Sequence, residues 1–589
     1  MFITTEQLKT SLLETSKKIV KEVNKTKVDI NDIEDKLSTM NIAADVEVSN
    51  MLNDIFRTNT KYAEFKNNTE IISVSVDEYP FLTNISNSTF NNCTNLDSID
   101  MINIVFIGDQ AFTDCPNLSN LGDTSNITFI GNQAFQRCTS LTDIDLSSCT
   151  SIGNSAFYGC TSLNSIGDTN KLSYIGATAF QGCNNLLDID LSNCTSIDQY
   201  AFYNCNNLNS IGDTSKITFI GENALYACNK LTSVDLNSCT SIGNSAFHSC
   251  KQLTTVGDTS NLTSIGTHAF YYCTGLTTVD LSNCDTVANS AFYYCNNLTN
   301  VGDTSKLTTV EINGFKFCSS LEDINLSNVI TIGNDAFYSC KKLTNVNLSS
   351  CTSIGTNAFY RCSTLSKVEN ANKLTTIPNN AFRECPALTS IDLSNITTIG
   401  DMAFYICTNL SNINLSDVIS IGNQSFYGCT SLTNTNLSSI VSIGNQGFYG
   451  CTSLTNIDLS SCTYIGTRAF SNCTNLTTVG DTSKVTTMEN MVFYNCYKLS
   501  SINLSSCTSI DSEAFSNCTN LTEVVLGNST MTTLLNTNAF VSTPIANGTG
   551  TIWVPAELKD AYLADANWST YSAVIKVIGV DGTPSTQEV

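Results

Sequence analysis

Basic residues and histidines are scarce in this sequence of 589 residues. Only 28 lysines and arginines stand against 52 acidic residues, and the formal net charge at pH 7 is −24. Binding to nucleic acids and attraction to anionic lipids both need clustered basic side chains. No apolar run reaches the length of about 18 residues that a membrane-spanning helix needs. We therefore expect no nucleic-acid partner and no insertion into a membrane.

Signatures of catalysis and of metal binding are also missing. The two histidines, His248 and His268, occupy variable positions that we expect to be exposed. The sequence contains no G-x-S-x-G motif, no phosphate-binding glycine loop and no Cys-x-x-Cys pair. These motifs are typical of nucleophilic catalysis, nucleotide binding and structural zinc sites. The sequence predicts a protein that is not an enzyme and that holds no cofactor or metal ion.

One short motif fills most of the chain instead. Its clearest copy, from Leu141 to Cys160, reads LTDIDLSSCTSIGNSAFYGC. We call the phenylalanine of this motif the marker. It recurs from Phe90 to Phe540 in steps of 22 or 23 residues, with a last step of 25 and with Leu225 as the one substitution. A fixed period of this length predicts a solenoid whose successive coils share one core.

Each coil contains an L-x-x-I-x-L segment that alternates apolar and polar residues, as half-buried strands do. In the copy above, we expect Ile144 and Leu146 to point inward while Asp143 and Asp145 point outward. The markers and the cysteines three positions after them are expected to form ladders through the core. The ladder residues that we single out are Phe112, Phe135, Phe157, Phe180, Phe202, Phe247, Phe270, Phe292, Cys115, Cys138, Cys160 and Cys183.

The 27 cysteines follow the register of the repeat. Twenty of them lie three residues after a marker position, and the other seven lie eight residues before one. Free cysteine behaves as a small buried hydrophobic residue. Thiols on neighbouring coils would point in the same direction, which disfavours a disulfide between them. The register therefore predicts reduced, buried thiols.

The L-x-x-I-x-L segment followed by S-I-G-x-x-A-F-x-x-C resembles the BspA-type leucine-rich repeat family. The fold class that this resemblance and the period imply is an α/β repeat solenoid, a leucine-rich repeat array of about 20 coils of 22–23 residues. We expect it to have one parallel β-sheet, short N-terminal helices and a C-terminal cap. Members of the family are mostly described as adhesins, and the resemblance supplies no catalytic residues.

The start of the chain lies outside the repeat. Apolar residues in the segment 5–40 fall on the a and d positions of a heptad frame, which predicts a coiled coil that attaches the protein or joins copies of it. The alternative is a helical cap that packs on the first repeat. The a and d residues are Leu12, Ile19, Val23, Ile30, Ile33 and Leu37.

We expect the chain to be organised in five segments. The last folded one should be a cap over the open end of the solenoid, and both tryptophans, Trp553 and Trp568, lie in it. The five are an N-terminal helical or coiled-coil attachment or oligomerisation segment at 1–57, degenerate first repeats at 58–105, the BspA-type leucine-rich repeat solenoid at 106–545, the C-terminal cap at 546–580 and a flexible tail at 581–589.

The residues from Ala43 to Leu52 resemble sequences in tail-fibre and receptor-binding proteins of bacteriophages. This resemblance implies a phage tail component that binds a cell-surface glycan or protein receptor, contacts other virion proteins through residues 1–57 and forms a homo-oligomer. The alternative is a bacterial surface adhesin or a protein-interaction scaffold. The chain turns polar directly after its first residues, without a signal peptide. We therefore expect a place in the virion, or outside the cell or on its surface by a route without a signal peptide.

An elongated polar face is the candidate ligand-binding surface. The outward residues of the L-x-x-I-x-L segments would cover one face of the sheet with the amide and carboxylate groups that suit glycans. The alternative is an ordinary solvated face. The candidates are Asp143, Asp145, Asp188, Asp190, Asp235, Asp280, Asp323, Asn325, Asn345, Asn347, Asn412 and Asn414.

Two other recurring residues have both a functional and a structural interpretation. Tyrosines directly after the marker, such as Tyr271 and Tyr293, would form a second stripe suited to recognition, or they pad a turn. The recurring G-D-T motif, as at Asp123, would supply calcium ligands or close an Asx-turn. Calcium takes about 6–8 oxygen ligands, whereas each motif offers one acidic residue, so we predict the turn.

Overall fold

The structure of the protein is a computed structural model, which describes residues 65–75, 82–411, 413–433 and 435–584. The predicted attachment segment at 1–57 and the candidate residue Asn412 lie outside the described residues. The chain divides into two compact units, one at 1–231 and the other at 232–589. Each unit is a parallel β-solenoid, and together the units contain about 23 turns, which corrects the expected number of about 20 coils.

The most regular element of both units is a two-residue strand at the S-I-G segment, which we call the S-I-G strand. Most consecutive S-I-G strands pair in parallel, for example Ser151 with Tyr174 and Ile152 with Ile175. The second residue of each S-I-G strand is buried. In the first unit these strands are Asn84–Ile85, Phe106–Ile107, Phe129–Ile130, Ser151–Ile152, Tyr174–Ile175, Ser196–Ile197 and Phe219–Ile220. In the second unit they are Ser241–Ile242, Ser264–Ile265, Thr286–Val287, Thr309–Val310, Thr331–Ile332, Ser353–Ile354, Thr376–Ile377, Thr398–Ile399, Ser420–Ile421, Ser442–Ile443, Tyr464–Ile465, Thr487–Met488, Ser509–Ile510 and Thr533–Leu534.

A second row of parallel pairing follows the L-x-x-I-x-L segments, so the expectation of one sheet is wrong for each unit. Many of its members are single bridges, such as Asp143 with Ser165. In the first unit its strands are Ser73–Val74 and Ser98–Ile99. In the second unit they are Asn345–Asn347, Lys367–Glu369, Ser390–Ile391, Asn456–Ile457, Thr478–Val479, Ser501–Asn503, Glu523–Val525, Thr551–Val554 and Ile575–Val577.

Glycine explains why this second row is irregular. In the longer coils a glycine with positive φ follows the buried isoleucine, as at Gly167 (φ 70°) and Gly212 (φ 72°). The chain turns away there, in a conformation that glycine adopts without steric cost, and pairing stops after one residue. Beyond Phe337 the shorter coil predominates, and three-residue strands form in the repeat, such as Asn345–Asn347.

Helix is confined to the C-terminal end of the described residues, so the α/β label is corrected to a β-solenoid with very little helix. Within the repeat, the segment around the marker turns instead of forming a helix, because two of its residues have positive φ. These are Ser155 (φ 54°) and Gly159 (φ 72°) in one coil. The helices of the described residues are the α-helix Lys559–Ala564 and the 3-10 helices Thr537–Phe540, Ala556–Leu558 and Trp568–Val574. In this part of the chain, none has the length and hydrophobicity of a membrane span.

The marker rings stack along the core of each unit. The ring centroids of Phe112 and Phe135 lie 5.1 Å apart with planes inclined by 8°, and those of Phe270 and Phe292 lie 5.4 Å apart. All the ladder phenylalanines and cysteines singled out from the sequence are fully buried. A single coil could not cover its own ring, so each coil depends on its neighbours for its core.

The C-terminal end buries aromatic side chains against the last marker. The indole of Trp568 lies 6.2 Å from the ring of Phe540, between centroids, and its N–H donates to the carbonyl oxygen of Thr532 at 2.7 Å. The hydroxyl of Tyr562 accepts a hydrogen bond from the backbone N–H of the same threonine at 2.9 Å. Trp568 and Tyr562 are fully buried, so the last ring of the ladder is shielded from water.

Candidate functional site

The L-x-x-I-x-L segments point their polar residues outward and their apolar residues inward. In one coil Ile144 and Leu146 are buried, whereas Asp143 and Asp145 are exposed. In another coil Asn345 is exposed. The structure therefore places the candidate polar residues on one side of these segments, in two columns with different surroundings.

The second polar residue of each segment closes a turn. The carboxylate of Asp145 accepts a hydrogen bond from the backbone N–H of Ser147 at 2.9 Å, and the amide oxygen of Asn325 accepts one from Ser327 at 3.0 Å. This bond to the residue two positions on defines an Asx-turn. The first role of these side chains is therefore structural, since each of them holds a turn. The same contact is made by Asp190, Asp235, Asp280, Asn347 and Asn414.

The first polar residue of each segment is more open, and we call these residues the outer column. Its described members among the candidates are Asp143, Asp188, Asp323 and Asn345, all of which are exposed. Their hydrogen bonds are to neighbouring side chains, such as the one that the hydroxyl of Thr344 donates to Asp323 at 3.2 Å. Because these residues and their contacts are exposed to solvent, the outer column is the more open part of this face.

The G-D-T motifs close turns, as the sequence predicts. Asp123 accepts a hydrogen bond from the backbone N–H of Ser125 at 2.9 Å, and this bond lowers the pKa of the Asp123 carboxyl. The next residue, Thr124, is buried and accepts from the backbone N–H of Asp145 at 2.7 Å. Among the residues that the structure describes, no group of three or more His, Cys, Asp or Glu side chains could hold a metal ion.

The tyrosines after the markers form stacked columns. In the second unit the ring centroids of Tyr271 and Tyr293 lie 4.6 Å apart with planes inclined by 4°, and those of Tyr427 and Tyr449 also lie 4.6 Å apart. Burial and the neighbouring phenols raise the pKa of Tyr293 to about 12. Because stacking covers the ring faces, this column offers a ligand mainly ring edges and hydroxyl groups.

Two cations take the place of tyrosines in the column of the second unit. The Nζ of Lys316 lies 4.9 Å from the ring centroid of Tyr338, and it also lies 3.6 Å from a carboxylate oxygen of Asp335. The guanidinium carbon of Arg383 lies 5.1 Å from the ring centroid of Tyr360 and 4.9 Å from that of Tyr405. Both cations are thus held between rings by cation–π attraction.

The expectation that the two histidines are exposed is wrong. His248 stacks on the ring of Tyr271 with centroids 4.7 Å apart, and His268 meets the same ring edge-on at 5.2 Å. Both side chains are half-buried in the tyrosine column. Burial and the neighbouring His268 lower the pKa of His248 to about 4, so its ring is uncharged at neutral pH.

All 27 cysteines are buried and carry free thiols. Burial raises the pKa of Cys160 to about 12 and that of Cys149 to about 11. A thiol with so high a pKa holds almost no thiolate, which is the nucleophilic form. The ladders therefore supply packing and hydrogen bonds, and they offer no activated nucleophile.

One feature of the surface was missed in the sequence. In the first unit, aromatic residues occupy the outward position of four S-I-G strands, at Phe106, Phe129, Tyr174 and Phe219, whereas Ser151 and Ser196 occupy it on two strands between them. We call Phe129, Tyr174 and Phe219, which are separated by these serine-bearing strands, the ring column. The signal was present as an aromatic residue before I-G in several repeats of this unit, but the sequence analysis did not assign a strand to the S-I-G segment.

The chain matches the family model described as BspA type leucine rich repeat region in six copies. A leucine-rich repeat protein from Bacteroides ovatus is 26% identical, with 58% of this chain and 86% of that chain covered and a TM-score of 0.45. A leucine-rich cell surface protein from Faecalibacterium prausnitzii is also 26% identical, with coverages of 60% and 82% and a TM-score of 0.28. No curated protein matches the chain. The six copies are at 58–187, 128–254, 173–299, 220–344, 330–455 and 441–551. Because these matches span most of its length, the chain belongs to the BspA-type leucine-rich repeat family.

Proposed function

We propose that the protein is a non-catalytic binding or adhesion protein that presents its repeated polar surface to a glycan or protein on a cell surface. The observation that carries this proposal is the outer column, in which Asp143, Asp188, Asp323 and Asn345 each expose a carboxylate or amide group. Many weak hydrogen-bonding contacts on rigid elements can add up to useful avidity for a repetitive partner. Family membership supports the proposal, because surface binding and adhesion are typical of BspA-like repeat proteins.

The chemistry of the described residues supports binding and not catalysis. The thiols are buried with raised pKa values, the histidines stack as neutral rings, and the acidic residues of the G-D-T motifs close turns. An enzyme needs a nucleophile, acid or base that can reach substrate. These groups are instead used to hold one coil against the next.

Binding of the labelled full chain to intact bacterial cells and to immobilised matrix proteins tests the proposal. A variant that combines Asp143→Ala, Asp188→Ala and Asn345→Ala removes three members of the outer column, and we expect it to bind less. A matched control combines Asn185→Ala and Gln252→Ala, which change exposed polar residues on the turns after the cysteines. Equal binding by both variants, or no binding by the unmodified chain, would rule the proposal out.

The finer assignment that we propose is a bacteriophage tail component located in the virion, with a surface adhesin or interaction scaffold of bacterial origin as the alternative. It is supported by the resemblance of residues 43–52 to phage tail-fibre proteins. Mass spectrometry of purified phage particles from a producing strain tests it directly. The chain should be recovered with the tail proteins if the assignment is right, and with the cell envelope or culture medium if the alternative is right.

A further inference from the structure

We propose that the first unit binds an extended, neutral, β-1,4-linked polysaccharide along its ring column. This inference rests on the proposed function and names the chemical class of one ligand. The ring column is Phe129, Tyr174 and Phe219, at the first position of three S-I-G strands. The ligand would lie across these strands, parallel to the direction in which the coils of this unit stack.

Two of the rings are unusually exposed. Tyr174 is 45% exposed and Phe219 is 43% exposed, whereas the isoleucine that follows each of them is buried. An isolated exposed aromatic residue needs no explanation, but a regular set on one strand position does. Phe129 is half-buried, and its ring is stacked on that of Phe106, with centroids 4.9 Å apart. A ligand that covers these rings would gain binding free energy, because ring surface would be removed from water.

The spacing of the rings fits a chain of β-1,4-linked pyranoses. Phe129 pairs with Ser151, and Ser151 pairs with Tyr174. Ser196 likewise pairs with Phe219. Phe129 and Tyr174 therefore lie two strand spacings apart, about 9.6 Å, and Phe219 lies on the second S-I-G strand after Tyr174. In an extended β-1,4-linked chain, each sugar is turned over relative to the one before it, so the same sugar face recurs once per disaccharide. The length of a disaccharide is comparable with the interval between the rings.

The chemistry around the rings also fits a neutral sugar. The face of an aromatic ring carries partial negative charge, and it attracts the weakly positive C–H groups on a pyranose face. The alternating strands add the hydroxyl-bearing side chains Ser151 and Ser196. Among the described residues of the first unit, no S-I-G strand contains a charged residue, and the net charge of the chain is −24. An anionic glycan would be repelled, so the charge favours a neutral one.

The tyrosine column is a weaker candidate for the same ligand. In the first unit the rings of Tyr203 and Tyr226 are stacked with centroids 4.6 Å apart, so their faces already cover one another. Sugar stacking needs an open ring face. Ser151 and Ser196 leave that space beside Tyr174 and Phe219, whereas Phe106 covers one face of Phe129.

The test measures binding of the full chain to cellohexaose and to chitohexaose by isothermal titration calorimetry, with maltohexaose as an α-linked control. The variants are Tyr174→Ser and Phe219→Ser, alone and combined. Serine already occupies this position on neighbouring strands, at Ser151 and Ser196, so the fold tolerates it. The matched control is Tyr464→Ser, since Tyr464 is 46% exposed at the same strand position but has serine, at Ser442 and Ser420, on both of the two preceding strands.

We expect at least one β-1,4-linked hexasaccharide to bind, each single variant to lose about tenfold in affinity, and the double variant to lose binding. Tyr464→Ser should bind as the unmodified chain does, and maltohexaose should not bind. Absence of binding to both β-linked hexasaccharides, or equal binding by the double variant, would overturn the inference. If the double variant then still binds cells like the unmodified chain, the proposed function stands without this ligand. If the unmodified chain binds no cells either, both fail.

Discussion

The thiol of Cys138 donates a hydrogen bond to the carbonyl oxygen of Phe112 on the preceding coil, with 3.1 Å between sulfur and oxygen. Cys160 makes the same contact with Phe135 at 3.0 Å, and the contact recurs in the second unit. Each of these sulfurs therefore fills a place in the core and also donates to a main-chain acceptor. A disulfide would remove that donor, so the ladder works as a set of protonated thiols.

We expect the native protein to react slowly with Ellman's reagent, and the unfolded protein to show close to 27 free thiols. Burial raises the pKa of Cys138 well above its ordinary value, so the reactive thiolate is scarce in the folded chain. Thiol titration before and after addition of denaturant, without reductant, measures both numbers. A large shortfall in the unfolded protein would show that disulfides had formed.

Replacing Phe292 with alanine should lower the free energy of unfolding by about 3–5 kcal/mol, because it leaves a cavity in the ring ladder. The rings of Phe270 and Phe315 lie 5.4 and 5.3 Å from it and would lose a stacking partner. Phe292→Leu is the control, since Leu225 already occupies a marker position. Urea unfolding followed by circular dichroism measures the loss. Phe292→Leu should lower the free energy of unfolding less than Phe292→Ala does, because leucine fills more of the cavity. Similar losses for both variants would contradict this prediction.

Replacing Arg383 with tyrosine should preserve stability, whereas replacing it with alanine should cost about 1 kcal/mol. The guanidinium lies between the rings of Tyr360 and Tyr405, and tyrosine is the residue that most other coils carry at this position. Thermal unfolding of the two variants and the unmodified protein distinguishes these outcomes. If alanine is tolerated as well as tyrosine, the cation is not held by the rings.

Acid should weaken the second unit through His248. Its pKa is lowered from 6.5 to about 4, first by burial and then by His268. The folded state therefore disfavours the charged form of His248. The contribution of the neutral, buried ring to stability is fully present above pH 6.5 and is lost as the pH falls from 6.5 towards 4. Melting temperatures at pH 7 and pH 5 measure the effect. His248→Tyr, which restores the common residue of the column, should show the smaller decrease, and an equal decrease would mean that other groups titrate.

Much of the core could be predicted from the sequence, because its signal repeats at one period. Phe112 and Cys138 recur at fixed positions in many coils, and residues locked to the register of a solenoid face its shared core. The Asx-turns at Asp123 and its equivalents were predictable for a local reason, since the turn depends on contacts within a few residues.

The features that sequence reasoning missed depend on neighbours in adjacent coils. The S-I-G strands contain two residues, which is too short for alternation to indicate a strand. His248 is half-buried because Tyr271, a full coil later, covers its ring. The ring column likewise appears only when every second coil is aligned. Such contacts join residues of different coils, so the pattern within one repeat gives no information about them.

The last prediction concerns residues 1–57, which we propose attach the protein to a particle or surface or join copies of it. This proposal is based on the contrast between a heptad-patterned segment and a repeat array whose coils form a shared core without it. Light scattering should show that the intact chain is an oligomer and that a 58–589 truncation is a monomer. The truncation should also lose attachment to its particle or cell surface. Monomers in both samples, together with full attachment of the truncation, would assign the segment to capping the first repeat.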